Sequence, residues 1–242
     1  MRAGAALLLL GLGACAAGGT GGDPLEATNR RVFAVNEAVD RAAILPLAKG
    51  YRAVTPAPVR QAVHNALGNL QEPRVFVNTL LQARLADAGH TAMRFVLNST
   101  LGLVGLFEVA APLGLPRRQG DFGQTLHSWG IGDGPYLMLP LLGPSNARDA
   151  VGQAGDVLTN PLNWLVPLEW TLARGGAEGL DQRERNIEAL REVREGSLDP
   201  YARLRSLWQQ NRAAELGGDG AGEGAMPAVL DDPGLDDPGA AP

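Results

Sequence analysis

Of the 242 residues, 45% are hydrophobic and only 5% aromatic. This composition excludes a disordered or disulfide-stapled chain, and the length fits one domain of about 200 residues or two small ones. Residues 23–216 carry 20 acidic and 20 basic side chains, so the folding part is neutral and gives no electrostatic case for a nucleic-acid partner.

The chain opens "MRAGAALLLLGLGAC", with Arg2 as a one-charge n-region, Ala5 to Leu12 as a short apolar run, and small residues ahead of Cys15. The run is shorter than the roughly 20 apolar residues a bilayer span needs. Residues 1–14 therefore read as a lipoprotein signal peptide, with Cys15 as the acylated first residue of the mature chain and 15–22 as a flexible spacer. The mature protein is expected on a membrane, outside the cytoplasm. Ala16, rather than Asp, follows the cysteine, so an enterobacterial-type sorting system has no signal to retain it at the inner membrane.

Asp23-Pro24-Leu25-Glu26 reads as a helix start, with Asp23 as N-cap, Pro24 in the first helical position and Glu26 three residues after the cap. The helix is expected to run to about Leu45, with Leu25, Val32, Phe33, Asn36, Val39 and Ile44 near one face and Pro46 ending it. A second helix should start near Pro58, carrying Val59, Val63, Ala66, Leu67 and Leu70. Pro73 should then open another, through Val75, Phe76, Leu80 and Leu81. Residues 86–98 read as helical. Irregular Gly/Pro-rich loops are expected at 101–120 and 130–146. Two charge-rich helices follow between 178 and 213, packed through Ile187, Leu190 and Val193, then Tyr201, Leu204 and Trp208, and parted by "GSLDP". No sustained period-2 alternation occurs, so the expected class is all-α rather than a barrel or sandwich. The tail 217–242 holds six Asp/Glu and no Lys or Arg, and with its Gly and Pro content should be disordered.

Catalytic motifs are missing. "HSWG" brings Ser128 beside His127 and within reach of Asp121, but a nucleophile elbow needs Gly where Leu126 stands. His64 and His90 have no local partner at metal or triad spacing. There is no Walker loop, GxGxxG before a helix, HExxH or CxxC. Neither an enzyme nor a cofactor or metal is expected.

Asparagines are the more informative residues. Asn36, Asn65, Asn69, Asn78 and Asn98 interrupt apolar helical stretches, and a buried amide is costly unless bonded. They either bind broken backbone at the Gly and Pro sites or line an aqueous or amphipathic passage. "LGLVGLFEVAAPLGLP", 101–116, carries a single charge, Glu108, and too many breakers for a spanning helix. It fits either a glycine-rich core hairpin or a membrane-facing one exposing Leu103, Val104, Leu106 and Phe107. "GIGDGPYLMLPLLGP" sets Gly130, Gly132 and Gly134 beside Tyr136, Leu137 and Leu139, a permissive hinge next to an apolar wall.

"DPLEATNRRVFAVNEAVD", "LGNLQEPRVFVNTLLQ", "RFVLNSTLGLVGLFEVA", "DFGQTLHSWGIGDGPYLMLPLLGPSNARD" and "SLDPYARLRSLWQQNR" occur in that order. Over about 23–213 the chain resembles the MlaA/VacJ family of outer-membrane lipoproteins. It departs from that family at Leu25, where an aromatic is common, and at Asn65-Ala66-Leu67-Gly68-Asn69-Leu70. The resemblance implies a ring-shaped, monotopic helical domain in the inner leaflet of the outer membrane. Its central amphipathic channel would pass stray glycerophospholipids to the periplasmic shuttle protein MlaC, in association with a trimeric porin. The asparagines, the hairpin at Leu101 to Ala110 with Leu103, Val104, Leu106 and Phe107, and the 130–139 loop become candidates for the channel and its hinge. The runner-up is a structural lipoprotein that organises or tethers porins; a hydrolase using Ser128 is a weaker third.

Overall fold

The computed structural model describes residues 23–217; the leader, Cys15 and the acidic tail from 218 lie outside the described residues. Ten α-helices and one short β-hairpin follow in order. They are α1 Glu26–Val39, α2 Leu45–Val54, α3 Ala57–Leu81, α4 Leu85–Thr100, α5 Phe122–Ser128, β1 Tyr136–Leu139 and β2 Gly143–Asn146. After these come α6 Ala147–Thr159, α7 Leu162–Leu165, α8 Leu168–Arg185, α9 Ile187–Glu195 and α10 Pro200–Gly217. The mostly helical class read from the sequence holds.

Two prolines do not act as expected. Pro46 does not stop the first helix, because a π-helical turn, Asp40–Ile44, precedes it and Leu45 bonds five residues back to the Asp40 carbonyl. The proline, which has no N–H to give, falls where the ladder changes register. Pro73 lies inside α3 rather than opening a new helix. Its missing hydrogen bond costs about 3 kcal/mol in isolation, and here the packing of α3 against α4, α5, α6 and α8 outweighs it. Asp23 is not the N-cap, which is Leu25; lying two residues earlier, its carboxylate accepts from Leu25 N at 2.9 Å, from Asn29 Nδ2 at 3.0 Å and from the Tyr201 hydroxyl.

The loop expected at 130–146 contains the hairpin. β1 and β2 pair antiparallel, Tyr136 opposite Asn146 and Leu139 opposite Gly143. Its inward side chains, Tyr136 and Met138, join Tyr201 in a small apolar core flanked by Val32, Phe33, Leu204 and Trp208. Phe33 meets Tyr201, and Tyr136 meets Trp208, edge to face at 5.7 Å. Both strands are four residues long, too short for the periodicity that reveals strands.

Elsewhere the usual distribution of side chains is reversed. Among the described residues, the largest fully buried side chains are Arg94, Tyr201, Glu72, Asn78, Thr79, Thr91, Thr125 and Ser145, while thirty large apolar residues stand exposed. Val59, Leu80 and Leu81, expected on packed faces of α3, are among the exposed ones; Val75 is buried as expected.

Candidate functional site

Burying charge is tolerable only when each ion is paired and hydrogen-bonded. Between α3 and α4, Arg94 (2% exposed) donates to Glu72 (1% exposed) at 3.0 Å, to Glu108 at 3.0 Å, and to the Leu115 carbonyl. Burial pushes the Glu72 carboxyl up, against the opposing charges of Arg94 and Arg117. Burial pushes Glu108 the same way, but hydrogen bonds from Asn98 and Ala111 N, with the charge of Arg94, hold it below its ordinary value. Arg117 donates to the Gly68 carbonyl at 3.2 Å and to Gln71 at 2.8 Å, so a methyl on Gly68 would fall 2.7 Å from its guanidinium.

This polar frame roots the apolar hairpin 101–107. Leu103, Val104 and Gly105 all have positive φ, which is a strained state for a β-branched residue such as Val104. Backbone bonds close the turn, among them Val104 N to Ser99 O at 3.0 Å, Gly105 N to Asn98 O at 2.8 Å, and Phe107 N to Gly102 O at 2.9 Å. Asn98 accepts from Val109 N at 2.9 Å and Ala110 N at 3.0 Å and donates to Glu108 at 3.1 Å. Asn65 donates to the Leu106 carbonyl at 3.2 Å, and Asn69, bonded to Ser99 at 2.9 Å, lies under Gly105. Leu103, Val104, Leu106 and Phe107 point outward, Val104 with 72% of its surface exposed.

A second loop is held the same way. Asn36 of α1 donates to Leu139 O and accepts from Leu141 N, both at 2.9 Å. Two turns earlier, Asn29 donates to Tyr136 O at 3.0 Å and accepts from Met138 N at 2.8 Å. The two amides grip the backbone of β1 and leave Leu141 and Leu142 exposed at the hairpin tip. Gly130 and Gly134 have φ of +85° and +68°, conformations that need glycine. Gly132 shows no positive φ, and a Cβ there meets nothing within 4 Å. Leu137 and Leu139 are half-buried, on the opposite side of the strand from Tyr136.

Asn78, fully buried, donates to Asp156 at 2.9 Å and accepts from Thr125 at 2.9 Å, joining α3, α5 and α6. The asparagines thus fall into two groups: Asn36, Asn65, Asn69 and Asn98 serve the loops, and Asn78 joins helices. Sequence reading missed Asn29, masked by the charged residues after it, and missed the buried ions Glu72, Arg94 and Arg148, which lie on helix faces of small and polar residues that look solvated in the sequence.

The residues drawn together by "HSWG" have other partners. Ser128 donates to Thr125 O at 2.7 Å, His127 Nδ1 lies 3.2 Å from Arg148, and Asp121 caps α5 through Gln124 N at 2.8 Å while holding Arg212. Burial works to raise the Asp121 pKa, but Arg212 outweighs it and keeps the carboxyl below its ordinary value. His64 faces Asp181 at 2.7 Å, and His90 bonds the Pro116 carbonyl at 2.8 Å.

The exposed apolar surface extends through 157–172, with Val157, Leu158, Trp164, Leu165, Val166, Leu168, Trp170 and Leu172. The Trp164 indole N–H is satisfied inside the segment, by Leu158 O at 2.8 Å. Among the described residues no helix is long and apolar enough to cross a membrane.

Fold and surface together define a helical domain that buries several ion-paired charges and asparagines, exposes many large apolar side chains, and roots two apolar loops in asparagine clamps. Residues 21–215 match the family model described as MlaA lipoprotein, and the chain belongs to that family. It is 35% identical over 209 residues to the intermembrane phospholipid transport system lipoprotein MlaA of Escherichia coli (strain K12), covering 81% of this chain and 80% of that one. The protein of the same name from Haemophilus influenzae is 30% identical over 194 residues, 78% of this chain and 77% of that one. An uncharacterised protein of Rickettsia bellii is 36% identical over 195 residues, 80% and 76% of the two chains. A solved chain from work on the structural basis for maintenance of bacterial outer membrane lipid asymmetry aligns with a TM-score of 0.72 at 32% identity. That alignment covers 81% of this chain and 100% of the other.

Proposed function

We propose that this chain is an outer-membrane lipoprotein that takes glycerophospholipids out of the outer leaflet and so maintains lipid asymmetry. Acylated at Cys15, it lies in the inner leaflet as a helical ring, and lipids cross it through an amphipathic channel toward a periplasmic shuttle protein, beside a trimeric porin. The observation that carries this reading is the pair of apolar loops, 101–107 and 130–142, which polar clamps fix at their roots and whose tips stay exposed. A lipid needs both surfaces, a polar one for its headgroup and an apolar one for its tails. The exposed apolar segment 157–172 and the names of the curated relatives support the same reading.

No bond is made or broken in this activity. A passive channel cannot shift an equilibrium, so direction comes from capture of the lipid by the shuttle. The test is phospholipid at the surface of intact cells, read with externally added phospholipase after the gene is deleted and then restored. We expect a rise on deletion that restoration reverses. An unchanged level would overturn lipid removal and favour a tethering lipoprotein.

A further inference from the structure

Asp133 is the sole charged side chain between Phe122 and Ala147, set between Gly132 and Gly134. Its carboxylate is 61% exposed, yet it meets the guanidinium of Arg148, whose side chain is 0% exposed. The same two residues are joined through the backbone, Arg148 N donating to Asp133 O at 3.1 Å. Arg148 is fixed from its other sides. Its Nε donates to Asp149 at 2.9 Å, and its Nη1 lies 3.2 Å from His127 Nδ1 at the end of α5. Asp149 in turn accepts from Arg212 of α10 at 2.8 and 3.0 Å, and its N–H is capped by Asn146 at 2.7 Å. The guanidinium is therefore a rigid post, oriented by α5, α6 and α10, and the glycine loop reaches it with its one charge.

A fully buried guanidinium reached on one side by a carboxylate that is 61% exposed holds that carboxylate through a charge-assisted hydrogen bond, roughly twice as strong as a neutral one. The flanking glycines give the loop the freedom to leave this position, and the ion pair opposes that freedom. We propose that Asp133, seated on Arg148, is the positioning residue that sets the rest state of the glycine loop during lipid passage. The proposal rests on the lipid-transport reading above and adds to it a named group that controls the loop. Arg148 acts as the fixed half and Asp133 as the releasable half, so the pair governs how often the loop moves and not whether the domain folds.

The experiment has two arms. In the first, amide hydrogen exchange is followed on the full mature protein in detergent, comparing wild type with Asp133→Ala and Asp133→Glu. Gly130 and Ile131, bonded to His127 O and Leu126 O, and Arg148, bonded to Asp133 O, are the reporters. We expect exchange at these amides to be about tenfold faster in Asp133→Ala, unchanged in α3 and α4, and restored by Asp133→Glu. Wild-type exchange in Asp133→Ala overturns the proposal. In the second arm, surface phospholipid is measured in cells carrying each variant at equal protein level. Asp133→Ala should give at least half the rise seen on deletion, and Asp133→Glu should reverse it. Faster exchange with wild-type asymmetry, in cells where deletion does cause a rise, also overturns a positioning role. If deletion itself causes no rise, the transport reading fails, and the exchange arm still decides whether the ion pair holds the loop.

Discussion

Asn98 uses its whole amide on one loop, accepting two backbone N–H groups and donating to a carboxylate. Replacing it with Leu leaves those groups without partners in a buried place, at about 1–3 kcal/mol for each unsatisfied one. Asn98→Leu should therefore lower unfolding stability by about 3 kcal/mol in a denaturant titration, whereas Asn65→Ala, at an exposed bond of 3.2 Å, should cost less than about 1 kcal/mol. The buried ions give a sharper contrast. Arg94→Leu strands Glu72 and should cost about 3–5 kcal/mol, as removing one partner of a buried pair generally does. Glu72→Gln keeps the shape and an acceptor for Arg94. Because burial raises the Glu72 pKa above its ordinary 4.5, its ionised form is disfavoured in the fold. Its contribution to stability is therefore greatest below pH 4.5 and declines as pH rises through the folded value. At pH 7 Glu72→Gln should change stability by less than about 1 kcal/mol, and its stability should fall less than wild type as pH rises above 4.5. At this scale the sequence was legible wherever a residue looked out of place. Asn36 and Asn98 stand out in apolar helices, whereas Asn29, beside Arg30 and Arg31, looks like any solvated residue although its side chain grips β1.

At the level of elements, helix existence followed from periodicity and helix ends did not. Pro73 and Pro46 both signal a boundary, and both lie in helices that tertiary packing or a π-turn carries onward. The β-hairpin was illegible for another reason: what fixes its register is two asparagines on α1, more than a hundred residues earlier in the chain. The glycines of the two loops separate geometry from motion. Gly105 has φ +89°, and a Cβ there would sit 2.5 Å from that of Asn69, so Gly105→Ala should cost about 2 kcal/mol or more through strain and displacement of the asparagine. Gly132 has open space and an ordinary backbone conformation, so Gly132→Val should melt within a few degrees of wild type. If the loop must flex to admit a lipid, the same variant should disturb surface phospholipid. A normally folded Gly132→Val with wild-type asymmetry would remove the hinge from the mechanism while leaving the fold intact.

For the molecule as a whole, hydrophobic periodicity locates apolar faces but is silent on what covers them. Leu80, Leu81 and Val59 look like core in the sequence and stand at the surface in the structure. The resemblance to a membrane-associated family was what gave the inversion a sense. Trp164 and Trp170, 75% and 69% exposed, lie in the exposed apolar stretch 157–172. Burying an aromatic of this size in lipid is worth about 2 kcal/mol each. The two together contribute about 4 kcal/mol, a large part of the roughly 5.5 kcal/mol that a single acyl chain gives. The prediction is best read without the anchor: a mature chain with Cys15→Ala should still sediment with vesicles of phosphatidylethanolamine and phosphatidylglycerol. Adding Trp164→Ser and Trp170→Ser should weaken that binding at least tenfold, with unchanged circular dichroism because neither side chain supports the interior. Vesicle binding that survives both changes would mean that protein, not lipid, covers this face in the cell.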